Sequence, residues 1–149
     1  MIEIVATILI IASSTVLFGY WFRYSCLLIL NTRTVRDYAG AVASANQLSF
    51  LEVQSRLRTP AATDFDKLRD LLDRDYSVVS YLLKHGTRSS EGSLETGMLA
   101  VNYRLMQMWY VATRRISTTT ACRALEEMSM VVAHFANAMG ERASAGAAA

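Results

Sequence analysis

The chain is predicted to be all-α, one N-terminal transmembrane helix followed by a cytoplasmic antiparallel four-helix bundle, on three observations. Residues 4–22 carry no charge. Beyond them, large apolar residues recur at alternating intervals of three and four, the spacing that lines one face of a helix. Proline occurs once, at Pro60, and the sequence holds no alternating run bounded by hairpin turns, so strands have no signature.

The uncharged run IVATILIIASSTVLFGYWF is nineteen residues long, about what a helix needs to cross a hydrocarbon core of ~30 Å. A secretory signal peptide would start with basic residues, carry a shorter apolar region and end in small residues. Here the first charge is acidic Glu3 and the run ends in large aromatics, so residues 1–23 are expected to be an uncleaved anchor. Tyr20, Trp21 and Phe22 form an aromatic interfacial belt, and Arg23 can extend its guanidinium to the headgroups. With Arg33 and Arg36 just beyond, basic charge gathers on the C-terminal side of the span. The positive-inside rule then puts the N-terminus outside and the rest of the chain in the cytoplasm, at the plasma (inner) membrane. Within the span, Thr7 and Ser14 lie seven residues apart, and Thr15 and Gly19 make a small-xxx-small pair, a candidate face for helix packing in the bilayer. Residues 24–34, including the apolar SCLLIL, are expected to be a helical junction at the membrane surface.

Four cytoplasmic helices are expected, at about 35–58, 64–85, 93–115 and 120–139, forming a domain over 35–140. The first has a thin stripe of Tyr38, Val42, Ala45, Leu48 and Leu51. The second is the best marked, with Phe65, Leu68, Leu72, Tyr76, Val79 and Leu83 inward, Thr63 or Asp64 as cap, and Lys84, His85 and Gly86 closing it. In the third, Leu94, Met98, Val101, Leu105, Met108 and Ala112 continue the spacing and are assigned inward. The fourth places Leu125, Met128, Val132, Phe135 and Met139 inward with Gly140 as terminator. Similar lengths and short connections favour antiparallel neighbours. Residues 141–149, ERASAGAAA, hold too few large apolar groups to pack and are expected to be a disordered tail.

Catalytic and cofactor chemistry is not signalled. A carboxylate di-iron bundle needs Glu-x-x-His pairs one turn apart, whereas Glu126, Glu127 and His134 are separated by eight and seven residues. His85 and His134 give no haem pair, and no nucleophile has a base and an orienting group beside it in any known pattern. Asp66, Asp70 and Asp73 recur on one face but alternate with Lys67, Arg69 and Arg74, which reads as a solvated, charge-balanced surface. Cys26 and Cys122 are expected to be reduced structural thiols. A net charge of +2, from 15 Lys and Arg against 13 Asp and Glu, implies no nucleic-acid partner.

The expected function is therefore a non-enzymatic scaffold or accessory subunit of a membrane assembly, with no cofactor or metal. Its partners are the lipid bilayer and a protein, or further copies of itself. Met106, Trp109 and Met130 fall off the inward stripes and are the candidate partner contacts. The alternative is a signalling module in which a continuous helix from residue 4 to about 58 transmits movement from the membrane. A small membrane-bound redox enzyme is a third class, which a metal or chromophore in the purified protein would reveal.

Overall fold

The computed structural model describes residues 1–32, 37–59, 64–85 and 93–147. Among them are six helices and no strand: α1 (Ile2–Asn31), α2 (Ala39–Asn46), α3 (Phe50–Arg58), α4 (Phe65–His85), α5 (Ser93–Thr113) and α6 (Thr118–Ala147). The chain divides into two compact units, Met1–Thr32 and Arg33–Ala149.

The first unit is α1 alone. Its 30 residues extend about 45 Å at 1.5 Å per residue, longer than the ~30 Å of a hydrocarbon core. It is the one described helix long and apolar enough to cross a membrane. The helix runs on through residues 24–31 and stops at Thr32, whose backbone is extended at φ −66°, ψ 120°. The rod expected to continue to residue 58 is thus interrupted.

In the second unit, α6 is the central element and contacts α2, α3, α4 and α5, while α3 also packs on α2 and α4. Accordingly, α6 is buried nearly all round, with Leu125, Met128, Val131, Val132, Phe135 and Ala136 in the core. It does not end at Gly140, nor is the segment that follows a loose tail, because the helix continues to Ala147. Gly140 instead makes room: a Cβ there would run into the Cβ and Cγ of Tyr38. The glycine read as a stop signal is a packing hollow in which α2 seats.

The helix expected over 35–58 is two helices. Gln47 adopts the left-handed conformation (φ 53°, ψ 44°), its N–H and that of Leu48 both returning to the Ala43 carbonyl, a Schellman-type closure made without glycine. Restarting at Phe50 buries Phe50 and Val53 completely. The new N-terminus is capped from another helix, since the Ser49 N–H donates to Asp75 Oδ2 of α4 at 2.6 Å.

Helix α4 starts as its sequence suggests. Asp64 accepts from the Lys67 N–H at 3.3 Å, and Leu68, Leu72, Val79 and Leu83 are buried. Ser117 performs the same service for α6, accepting from the Thr120 N–H at 3.4 Å. The expected break at Pro60, the Thr63 cap and the Gly86 finish lie outside the described residues.

Candidate functional site

Helix α5 has two working faces. Leu99, Asn102, Tyr103, Met106 and Tyr110 are buried, and these rather than the expected stripe form its core side. Leu94, Val101, Leu105 and Met108, assigned inward from their spacing, are instead 80%, 57%, 41% and 69% exposed. Both faces satisfy helical periodicity. What decides between them is that Tyr103, Tyr110 and Asn102 carry polar atoms which neighbouring helices satisfy.

On one side of α5 those neighbours are carboxylates of α4. Tyr103 donates its hydroxyl to Asp73 Oδ1 at 2.7 Å and Gln107 donates Nε2 to Asp73 Oδ2 at 2.8 Å. Two helical turns beyond Tyr103, Tyr110 donates to Asp66 Oδ1 at 3.0 Å, and Arg114 pairs with the same oxygen. Behind this ladder the Tyr76 and Tyr103 rings stack with centroids 3.9 Å apart, and Tyr76 also meets Phe135 of α6. The acidic row expected to be a solvated surface is therefore divided. Asp73 and Asp66, the latter from an exposed position, tie α4 to α5, whereas Asp70 lies at the surface beside Arg69 at 2.7 Å.

The electrostatics follow from this geometry. Burial first, and then the hydrogen bond to Asp66, raises the Tyr110 phenol to about 12. Tyr103 is pushed up more strongly by burial and by Asp73. Asp66 is lowered, chiefly by the hydroxyl of Tyr110, with the Arg114 guanidinium adding to it. Both phenols are consequently neutral at neutral pH, and Asp66 is held ionised beneath Tyr110, the arrangement of a structural clamp.

On its other side α5 meets α6. Asn102 donates Nδ2 to Glu127 Oε1 at 2.7 Å, with both residues buried, and His134 Nε2 lies 3.2 Å from Glu95 Oε1. Glu127 and His134 thus serve helix pairing. His85 lies at the end of α4, with Nδ1 2.9 Å from the Tyr81 carbonyl. Among the described residues, no group of three His, Cys, Asp or Glu side chains is placed to hold a metal ion. Cys26 and Cys122 are free thiols, and burial raises Cys122.

The candidate contact residues separate accordingly. Met106 is 7% exposed and belongs to the core side of α5, which corrects its assignment to the surface. Its position is off the outer stripe because it lies on the inner one. Trp109 is 52% exposed and Met130 36%. The antiparallel pairs Glu95–His134 and Asn102–Glu127 bring Met130 of α6 level with the Met98 region of α5. The outer surface of α5 therefore carries the exposed apolar stripe, with Trp109 on its flank.

On α1, Tyr20, Trp21, Phe22 and Arg23 follow one another around the helix, Tyr20 and Trp21 are exposed, and the Tyr20 and Tyr24 rings stack at 6.5 Å. Arg33 and Arg36 lie outside the described residues. Thr7 and Thr15 donate their hydroxyls to the Glu3 and Ile11 carbonyls of their own helix, each at 2.8 Å. Ser14 is exposed, and no atom lies within 4 Å of where a Gly19 Cβ would stand. The two threonine hydroxyls of this candidate face are therefore already bonded within their own helix.

Two groups escaped sequence reading altogether. Asp75 is buried and capped onto α3, and burial raises its carboxyl above the usual range against the pull of the Ser49 and Phe50 N–H groups. Asn102 sits among apolar neighbours in the sequence and nothing there reveals Glu127 as its partner. No protein-family model, curated protein or solved structure matches the chain.

Proposed function

We propose that this chain is a single-pass membrane protein, N-terminus outside, whose cytoplasmic helices act as a non-enzymatic scaffold or accessory subunit of a membrane assembly. In this reading α1 crosses the bilayer, and Arg23, Arg33 and Arg36 keep its C-terminal side in the cytoplasm. Helices α4, α5 and α6, with α2 and α3 as one broken arm, form the four-helix bundle. The small-residue face at Thr7, Ser14, Thr15 and Gly19 offers a second contact within the membrane.

The observation that carries the proposal is the outer stripe of α5. Leu94, Val101, Leu105 and Met108 stay exposed, with Met98 half-buried among them, although the helix already has a complete core face, and apolar surface of this kind marks interaction sites. A photo-crosslinking amino acid at position 108, introduced into the full chain in its native membrane, tests it. The expected result is a discrete crosslinked protein, identified by mass spectrometry, that disappears when Val101 is changed to Asp. A chain that captures nothing and runs as a monomer in mild detergent overturns the proposal.

A further inference from the structure

We infer that the occupant of the α5 stripe is an amphipathic helix with an aliphatic seam and acidic flanks, a conclusion that rests on the docking role proposed above and names its partner's chemistry. The stripe consists of Leu94, Met98, Val101, Leu105, Met108 and Ala112, at intervals of four, three, four, three and four. That is a strict 3.5-residue repeat, the spacing that keeps a seam facing a second helix. A flat lipid surface requires no such register.

Gly97 adds an independent sign. It lies beside Leu94 and Val101, one turn from each, in the interior of α5, where glycine costs about 1 kcal/mol relative to alanine. Nothing among the described residues requires it, because a Cβ at Gly97 would meet none of their atoms within 4 Å. A missing side chain on an outward face permits another backbone to come close. Lipid gains nothing from that hollow, whereas an approaching helix does.

Charge then selects among helices. On the flank of the stripe, Arg104 follows Gly97 by seven residues, and Arg115 stands just past the end of α5; both are exposed. The sole carboxylate of α5, Glu95, already lies against His134. Two copies paired antiparallel through this stripe would bring their own Arg104 guanidiniums together near the centre, and a parallel pair would find no carboxylate opposite them. The rim is complementary to acid on a different chain, and such complementarity chooses partner and register.

The test uses the full chain in phosphatidylcholine nanodiscs, with Trp21→Phe leaving Trp109 as the only tryptophan at the edge of the stripe. The probes are two synthetic 21-residue helical peptides with leucine at the a and d positions, one flanked by glutamate and one by lysine. The glutamate peptide is expected to shift Trp109 emission saturably at one per chain and to bind about tenfold more tightly than the lysine peptide. Arg104→Glu combined with Arg115→Glu is expected to reverse that preference, while circular dichroism stays unchanged. Equal affinity of the two peptides, or no reversal, overturns the inference. So does a Trp109 shift that follows protein concentration without peptide, which assigns the stripe to a second copy, or quenching of Trp109 by brominated lipid alone, which assigns it to the bilayer. A crosslink at position 108 to a membrane protein together with indifferent peptides would overturn only the partner's chemistry; no crosslink at all overturns the docking role itself.

Discussion

Helices α4 and α5 have the same length, 21 residues, and similar apolar spacing, yet they use it in opposite ways. In α4 the aliphatic stripe enters the core, with Leu68, Leu72, Val79 and Leu83 buried and every charged residue but Asp75 outside the core. In α5 the corresponding stripe faces outward, and the helix is held from inside by two tyrosines, an asparagine, a leucine and a methionine. The difference lies in what each helix can satisfy. The α4 aspartates provide acceptors that make the tyrosine face of α5 cheap to bury, and the aliphatic face of α5 is left over for something else.

The sharpest way to break that comparison is a matched pair of truncations. Leu72→Ala removes a fully buried side chain and is expected to cost about 2–5 kcal/mol. Leu105→Ala, on the outer stripe, is expected to change stability by no more than about 0.5 kcal/mol. Thermal unfolding of the full chain, followed by far-ultraviolet circular dichroism, measures both. Equal losses would mean that the α5 stripe is covered within the folded chain, and the contrast between the two helices would disappear.

A second difference concerns polar groups, for α4 buries one carboxylate outright. Asp75→Ala strips the acceptor from the amides that begin α3 and is expected to cost about 1–3 kcal/mol, with Asp75→Asn milder because one carbonyl oxygen remains. The pH dependence has a definite sign. Burial raises the folded carboxyl above its reference value of 3.8, so the folded state binds its proton more tightly than the unfolded state does. This group's contribution therefore declines as pH climbs from about 3.8 through the folded value and is level above it. Unfolding curves across pH 4–7 should show that decline in the native chain and lack it in Asp75→Asn; parallel curves would remove Asp75 as its source.

Next in size is the break between α2 and α3. A left-handed non-glycine residue costs roughly 1–2 kcal/mol, part of which glycine returns through its greater freedom when unfolded. Gln47→Gly is thus expected to stabilise the chain by about 0.5–1 kcal/mol, and Gln47→Val, β-branched at a positive φ, to destabilise it by about 1 kcal/mol. If both variants are neutral in the same melting experiment, the segment is one helix after all.

These contrasts explain what could be read from the sequence. The all-helical composition, the apolar α1 and the inward faces of α4 and α6 were legible because α4 and α6 each follow a single apolar stripe and α1 carries a long run without charge. Helix α5 has two, and periodicity alone has no means of ranking Leu105 against Tyr103; the ranking depends on Asp73, thirty residues away. The same non-locality hid Asp75, which resembles its solvated neighbours, and made Gly140 look like a terminator when its role is set by Tyr38. Gln47 gave no signal, since neither glycine nor proline marks the turn. At the candidate site, Trp109 and Met130 were recognisable as lying off the stripes, whereas Met106 was misplaced together with the face to which it belongs.

The smallest expected effect tests the clamp that holds the tyrosine face inward. Tyr110 has its phenol raised to about 12, first by burial and then by Asp66. The folded value lies above the phenol's ordinary value of 10.0, so this group's stabilising contribution is complete below about pH 10 and is lost as pH rises through about 12. Asp66→Asn removes the carboxylate but leaves the phenol buried. Its titration, followed by phenolate absorbance and assigned with Tyr110→Phe, should therefore move down only part of the way toward 10, because the larger cause is untouched. A full return to 10 would mean that Tyr110 is exposed and that α5 is not held by this face. No movement at all would mean that Asp66 does not reach the hydroxyl, and the acidic row of α4 would then be the plain solvated surface its alternating charges suggest.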